Sequence, residues 1–266
     1  MEQADKSYKI NKINSIEKAL MVLTVFREGR PSWGVRELSA HLGFSPSTVQ
    51  RILQILLSHG YVRRDPDTRQ YSLGTIYLSF FRVMQDNYPI TKIAMPLMKR
   101  LQSRTGETVH LNIIDTDHVS RICISSLEST NELKAGMPVG NKAPLYAGAS
   151  SKCLLAFSSD DFIEKYLAKV KIEPLTNNTI AETEQLIPEL KLIRERGYAS
   201  SLGETFQGLG ALSVPFFAFH QEVSVGSVVS LAIPEVRFND YEHRKMCIDE
   251  LLLAKKEFSE ATGCYS

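Results

Sequence analysis

The 266-residue chain is 43% hydrophobic and 23% charged, a globular balance long enough for one large domain or two medium ones with a full core. Its net charge of +1 is unevenly spread: residues 1–80 hold 11 Lys/Arg against 7 Asp/Glu, the remaining 186 hold 20 against 23, so a mildly basic segment precedes a mildly acidic body. No run of about 18 apolar residues allows a membrane span, and the polar start MEQADKSYKINK is not a secretory leader, so a soluble, cytoplasmic protein is expected.

Ile13, Ile16, Leu20, Leu23 and Phe26 recur at three- and four-residue steps and predict a helix over about 14–27. Ser15 is its expected N-cap and Gly29-Arg30-Pro31 its stop. Val35, Leu38 and Leu42 predict a short second helix ended by Gly43. A third, capped by Ser45 with Pro46 in its first turn, carries Val49, Ile52, Leu53, Leu56 and Leu57 inward and closes at His59-Gly60. Two short strands, 61–64 and 70–73, follow around the turn Asp65-Pro66-Asp67-Thr68. An apolar-rich helix over 75–84, with Ile76, Tyr77, Leu78, Phe80, Phe81 and Val83, is interrupted at Asn87-Tyr88-Pro89. The expected domains are therefore 1–75, a linker helix over 76–89, and a second domain over 90–266.

In that second domain the periodicity predicts a helix over 90–104 and strands over 108–114 and 119–126. Helices follow over 151–157, 160–169 and 182–196, then apolar strands over 212–219 and 223–233, and a last helix over 240–262. This order reads as α+β with an antiparallel sheet.

The segment from Val35 to Leu53 is the most specific signal. A short helix, a glycine turn and a longer capped helix form a helix-turn-helix, whose second helix fits a major groove. With its apolar face buried, the helical wheel turns Ser47, Gln50, Arg51 and Gln54 outward. Gln pairs bidentately with adenine and Arg with guanine or phosphate, while the hydroxyls of Ser45, Ser47 and Thr48 suit phosphate at the helix start. Arg63, Arg64 and Arg69 surround the hairpin turn as a basic wing. Solvated arginines on a helical interaction module are the bland alternative; the agreement of cap, turn, polar face and wing favours double-stranded DNA.

The runs Ile13-Asn14-Ser15-Ile16-Glu17-Lys18-Ala19-Leu20, Gly43-Phe44-Ser45-Pro46-Ser47-Thr48-Val49-Gln50-Arg51 and Tyr71-Ser72-Leu73-Gly74 resemble the winged helix of the IclR family of transcriptional regulators. The likeness resumes at Thr105-Gly106-Glu107-Thr108-Val109-His110-Leu111, Pro144-Leu145-Tyr146-Ala147, Lys152-Cys153-Leu154-Leu155-Ala156 and Arg196-Gly197-Tyr198. It implies a winged helix-turn-helix joined by a linker helix to a GAF-like α/β effector-binding domain with an antiparallel sheet. It also implies dimers or tetramers on operator DNA. Family members often carry a lysine where this chain has Ser45-Pro46, so a phosphate contact there is missing or supplied elsewhere.

The small-residue loop Pro144–Ser151 enters a helix, a setting whose backbone amides suit a carboxylate. The resemblance places effector-lining positions at Ala149, Ser150, Ser201, Ala211, Ser230 and Ala232. Some family members carry an acid and a cysteine at the positions of Ser201 and Ala211, which implies a less polar or larger effector here. Close packing is the competing role for these small residues.

Enzyme signatures fail. Gly148–Lys152 matches neither S-x-x-K nor G-x-S-x-G, and Gly208-Leu209-Gly210 lacks the third glycine of a dinucleotide fingerprint and leads into a strand. Cys123, Cys153, Cys247 and Cys264 form no C-x-x-C pair, and Cys153 sits in an apolar helix. His110 and His118 lack metal-ligand spacing. No catalytic set, metal or cofactor is expected, and Glu204 is equally suited to a pocket rim and a solvated loop. A ligand-responsive regulator leads over an enzyme with an accessory DNA-binding head and over an interaction module with a degenerate head.

Overall fold

In the computed structural model, residues 14–27, 30–87, 89–217 and 226–264 are described, and the chain divides after Asn87 into two compact units. In the first, α1 (Ser15–Val25), α2 (Val35–Leu42) and α3 (Pro46–Ser58) close around Val22, Val25, Leu38, Val49, Leu53 and Val62. The hairpin of β1 (Val62–Arg64) and β2 (Tyr71–Leu73) follows, then α4 (Ile76–Asn87). Trp33 exchanges two backbone hydrogen bonds of 2.8 Å with Tyr71, which fastens the hairpin to the helices.

Asn14, not Ser15, caps α1: its side-chain oxygen accepts the Glu17 amide at 2.8 Å, and Ser15 is already helical. The predicted stripe of α1 is also displaced. Only the second half of the helix reaches the core, so Val22, Val25 and Phe26 are buried while Ile16 and Leu20 are 74% and 59% exposed. Ile13 and Gly29 lie outside the described residues. Gly43, at φ +70°, takes the left-handed conformation that turns α2 into Ser45. Ser45 then caps α3, accepting the Thr48 amide at 3.2 Å ahead of Pro46.

The second unit is built on six antiparallel strands: β3 (Thr108–Ile114), β4 (Ser120–Leu127), β5 (Lys142–Pro144), β6 (Ala199–Leu202), β7 (Leu209–Phe216) and β8 (Ser227–Pro234). Their order in the sheet is β5-β4-β3-β8-β7-β6. Two long helices, α5 (Pro89–Thr105) and α10 (Tyr241–Thr262), cover one face. There they pack Met98, Leu101, Leu251 and Phe258 on Val109, Leu111, Leu212, Val214, Leu231 and Ile233. The opposite face carries α6 (Ala149–Ala156) with α7 (Asp160–Lys169) and α8 (Thr183–Arg196). Because both faces are covered, β8 is buried along its whole length and reads in sequence as a largely apolar run broken by Ser230.

Sequence periodicity misses β5, β6 and the one-turn helix α9 (Glu235–Phe238). Lys-Ala-Pro and Ala-Ser-Ser-Leu hold no β-branched or aromatic residue; they become strands only by pairing with β4 and β7. The predicted strands over 212–219 and 223–233 run into residues 218–225, outside the described set. Gly210 belongs to packing: a Cβ there would lie 2.3 Å from the ring of Phe238.

Candidate functional site

On α3, Ser47, Arg51 and Gln54 form an exposed stripe. Thr48 and Gln50 are half-buried at its margin: the Thr48 hydroxyl lies 2.8 Å from Ser45 Oγ, and Gln50 Nε2 lies 3.5 Å from the Tyr71 hydroxyl. Gln50 is thus less outward than the helical wheel predicts, because the hairpin reaches back over this edge of the helix. Ser47 Oγ sits 3.0 Å from Ser45 Oγ, so the first turn gathers three hydroxyls.

The hairpin presents its arginines to solvent on a fixed frame. Asp65 accepts the amides of Asp67 and Thr68 at 3.0 and 2.7 Å, and these bonds hold its carboxyl below the usual range. Arg69 adopts φ +58° and closes the turn by donating its amide to the Asp65 carbonyl at 3.0 Å. Arg63 Nε donates to Ser72 Oγ at 2.9 Å, and the Arg64 guanidinium lies 5.8 Å from the Tyr71 ring centre. Arg63, Arg64, Asp65, Thr68 and Ser32 line a concavity of about 470 Å³ beside the turn.

In the second unit the six predicted effector positions do come together, on the α6 face of the sheet. Ser201, Ala211 and Ala232 are consecutive partners across β6, β7 and β8, and Thr108 of β3 completes the row. Two residues along, Ala199, Ser213, Ser230 and His110 form the next row. The Ser213 and Ser230 hydroxyls are 2.6 Å apart and fully buried. Ala149 and Ser150 open α6, both buried.

Two of the amides at this helix start already have partners. Ala149 N–H donates to Ser201 Oγ at 2.9 Å, and Gly148 N–H donates to Glu204 Oε2 at 2.9 Å. Glu204 is neither on an open rim nor solvated: it is 7% exposed and its other oxygen accepts from Lys152 Nζ at 2.6 Å. Sequence spacing cannot show this bond, since Lys152 and Glu204 meet only through the fold.

A second buried polar group is likewise hidden in the sequence. His110 Nδ1 lies 2.8 Å from Asn112 Nδ2, and Arg121 Nη1 donates to Asn112 Oδ1 at 3.2 Å. Burial, helped by the Arg121 charge, pushes the His110 imidazole down to about 3 and keeps it neutral. The one visible signal is the alternation of Thr108, His110 and Asn112 with Val109, Leu111 and Ile113, a polar face on a strand covered on both sides. Cys153 is buried in α6 and its thiol is pushed up to about 12, which suits packing and not nucleophilic attack. Among the described residues, no three His, Cys, Asp or Glu side chains cluster to hold a metal ion.

Two family models match the chain. One, described as IclR helix-turn-helix domain, spans residues 15–66; the other, described as Bacterial transcriptional regulator IclR C-terminal, spans residues 83–259. The chain belongs to the IclR family. Its relatives include the HTH-type transcriptional regulator KdgR of Escherichia coli, 31% identical over 99% of this chain and 98% of that protein. The regulator KipR of Bacillus subtilis is 30% identical over 86% of this chain and 90% of that one.

Solved structures agree with the IclR assignment. The Thermotoga maritima IclR superposes with a TM-score of 0.75 at 28% identity, covering 94% of this chain and 99% of that one. An IclR regulator from Alicyclobacillus acidocaldarius reaches 0.81 at 26% identity, covering 94% and 98%. An IclR homolog from Microbacterium hydrocarbonoxydans, solved in complex with 4-hydroxybenzoate, shares the fold at 0.76 and 20% identity, covering 94% and 99%. This IclR-family chain is thus a DNA-binding transcriptional regulator with a helix-turn-helix head and an α/β body. No described helix is long and apolar enough to cross a membrane.

Proposed function

We propose that the protein is a cytoplasmic, effector-responsive regulator, not an enzyme, that grips operator DNA as a symmetric dimer or a pair of dimers. The observation that carries this reading is the pairing of two surfaces in separate units. The first unit exposes Ser47, Arg51 and Gln54 beside the basic hairpin of Arg63, Arg64 and Arg69. The second encloses a polar inner face between α6 and the sheet.

Arg51 and Gln54 would read base edges, with Gln50 joining them on release from Tyr71, and Ser45, Ser47, Thr48 and the wing arginines would hold phosphates. Ala149, Ser150, Ser201, Ala211, Ser230 and Ala232 would line the effector pocket. A protein of this fold solved with 4-hydroxybenzoate supports a small organic molecule as the effector class. Because Ser201 already satisfies the Ala149 amide, an effector reaching that amide must displace the hydroxyl.

Binding would shift the equilibrium between two arrangements of the paired heads only through a difference in affinity for them. The test is an operator titration with the full chain, with and without a low-molecular-mass cell extract, on wild type and Ala149→Trp. Wild type should respond to the extract, and the variant should bind DNA equally without responding. A response that survives in Ala149→Trp would move the pocket elsewhere. Turnover of extract components by the protein would favour the enzyme alternative.

A further inference from the structure

We infer that Arg121, Asn112 and His110 form an anion site inside the second unit that takes the carboxylate of a small organic acid. This rests on reading that unit as an effector sensor.

Arg121 stands on β4 opposite Ile114 and is 3% exposed. Among the described residues, every partner it has is neutral. Nη1 donates to Asn112 Oδ1 at 3.2 Å and to the Asn141 carbonyl at 3.5 Å; Nη2 donates to Asn141 Oδ1 at 3.2 Å and lies 3.7 Å from Met137 Sδ. Nε is buried with no hydrogen-bond partner among the described residues. The acids in the neighbouring turn, Asp115 and Asp117, pair with Lys142 instead. The adjacent Cys123 thiol is pushed up to about 11 by burial, so it supplies no negative charge. A guanidinium out of water and without a counter-ion carries a desolvation cost that amides offset only in part.

The bonds of Arg121 also fix the proton on His110. An arginine only donates, so the Asn112 oxygen faces Arg121 and its amide NH2 faces His110 Nδ1. Nδ1 is therefore the acceptor, and the proton of the neutral ring sits on Nε2. That Nε2 is buried without a hydrogen-bond partner among the described residues. Two orphan donors, one of them charged, thus share the α6 face of the sheet, with His110 directly beside Ser230 in the β3–β8 pairing. A carboxylate offers two acceptor oxygens and the missing charge. The Gly148 and Ala149 amides at the start of α6 do not compete for it, since Glu204 and Ser201 already accept from them.

The test uses thermal melts of the full chain with millimolar acetate, 3-hydroxybutyrate and benzoate, each beside its primary amide at constant ionic strength. At least one carboxylate should raise the melting temperature by roughly 2 °C or more while its amide does not. Arg121→Gln should weaken that carboxylate by about 30-fold or more, and Arg121→Lys should retain part of the response. Ligand-free Arg121→Met should melt at or above wild type, because it removes an uncompensated charge. The inference is overturned if no carboxylate stabilises, if an amide does so equally, if Arg121→Gln responds undiminished, or if ligand-free Arg121→Met is destabilised or unfolded. Release of operator DNA by a neutral compound, with no carboxylate response, would remove the anion site and leave effector sensing standing. Carboxylate binding with no change in operator affinity would do the reverse.

Discussion

Gln50 and Arg51 are neighbours on α3, yet only Arg51 is exposed; Gln50 leans to within 3.5 Å of the Tyr71 hydroxyl. Losing a base contact costs about 1–3 kcal/mol at one operator position. Gln50→Ala should relax base preference at one position by that amount, read by binding-site selection. An unchanged preference would leave reading to Arg51 and Gln54. Arg63→Ala or Arg69→Ala should instead weaken every sequence and reduce the salt slope by about 1, since phosphate contacts carry no sequence information. His110 gives a pH signature. Its folded value, about 3, lies below the ordinary 6.5, so between these the unfolded chain binds the extra proton. Stability from this group is full above about pH 6.5 and falls as the pH drops toward 3. From pH 7 to 5 the loss should approach about 2 kcal/mol in urea melts, and His110→Asn should lack it. Parallel pH profiles for the two proteins would contradict the burial of a neutral imidazole.

Among the elements, long helices and the buried strand are legible because their burial imposes a 3.6-residue period or a largely apolar run. The strands β5 and β6 are not, since their residues become strands only through partners distant in the chain. The same holds for the candidate site. Ala149, Ser201 and Ser230 were placed by the family likeness, and the structure brings them to one face. The ion pair of Lys152 with Glu204 and the chain from His110 to Arg121 are tertiary and leave only the polar alternation on β3. Lys152 is 1% exposed and would keep only its 3.4 Å contacts with Glu189 and the Ser200 carbonyl, so Glu204→Gln should destabilise by about 1–3 kcal/mol through a poorly compensated buried charge. Adding Lys152→Met should recover much of that loss; a double variant no more stable than Glu204→Gln would deny the pair this role. Gly210→Ala drives a methyl into the Phe238 ring and should cost about 1–3 kcal/mol, relieved by Phe238→Leu.

For the whole molecule, α4 exposes Leu78 at 71%, Phe80 at 45%, Phe81 at 39%, Val83 at 51% and Met84 at 52%. So many large apolar side chains on one helix fit a surface covered by a second copy of the chain. Sedimentation should find a dimer or larger at micromolar concentration, and Leu78→Glu with Phe81→Glu should shift it toward monomer. A wild-type monomer with full operator affinity would remove the symmetric assembly. Under the proposed function, paired copies of the helix-turn-helix head read DNA sequence. Selection of bound fragments from a random double-stranded library by the full chain tests this most directly. Enrichment of a two-fold related sequence is expected, with half-sites one or more helical turns apart, whose preferred bases change in Arg51→Ala and Gln54→Ala. Recovery of DNA without sequence preference, or an enriched motif indifferent to both substitutions, would contradict it.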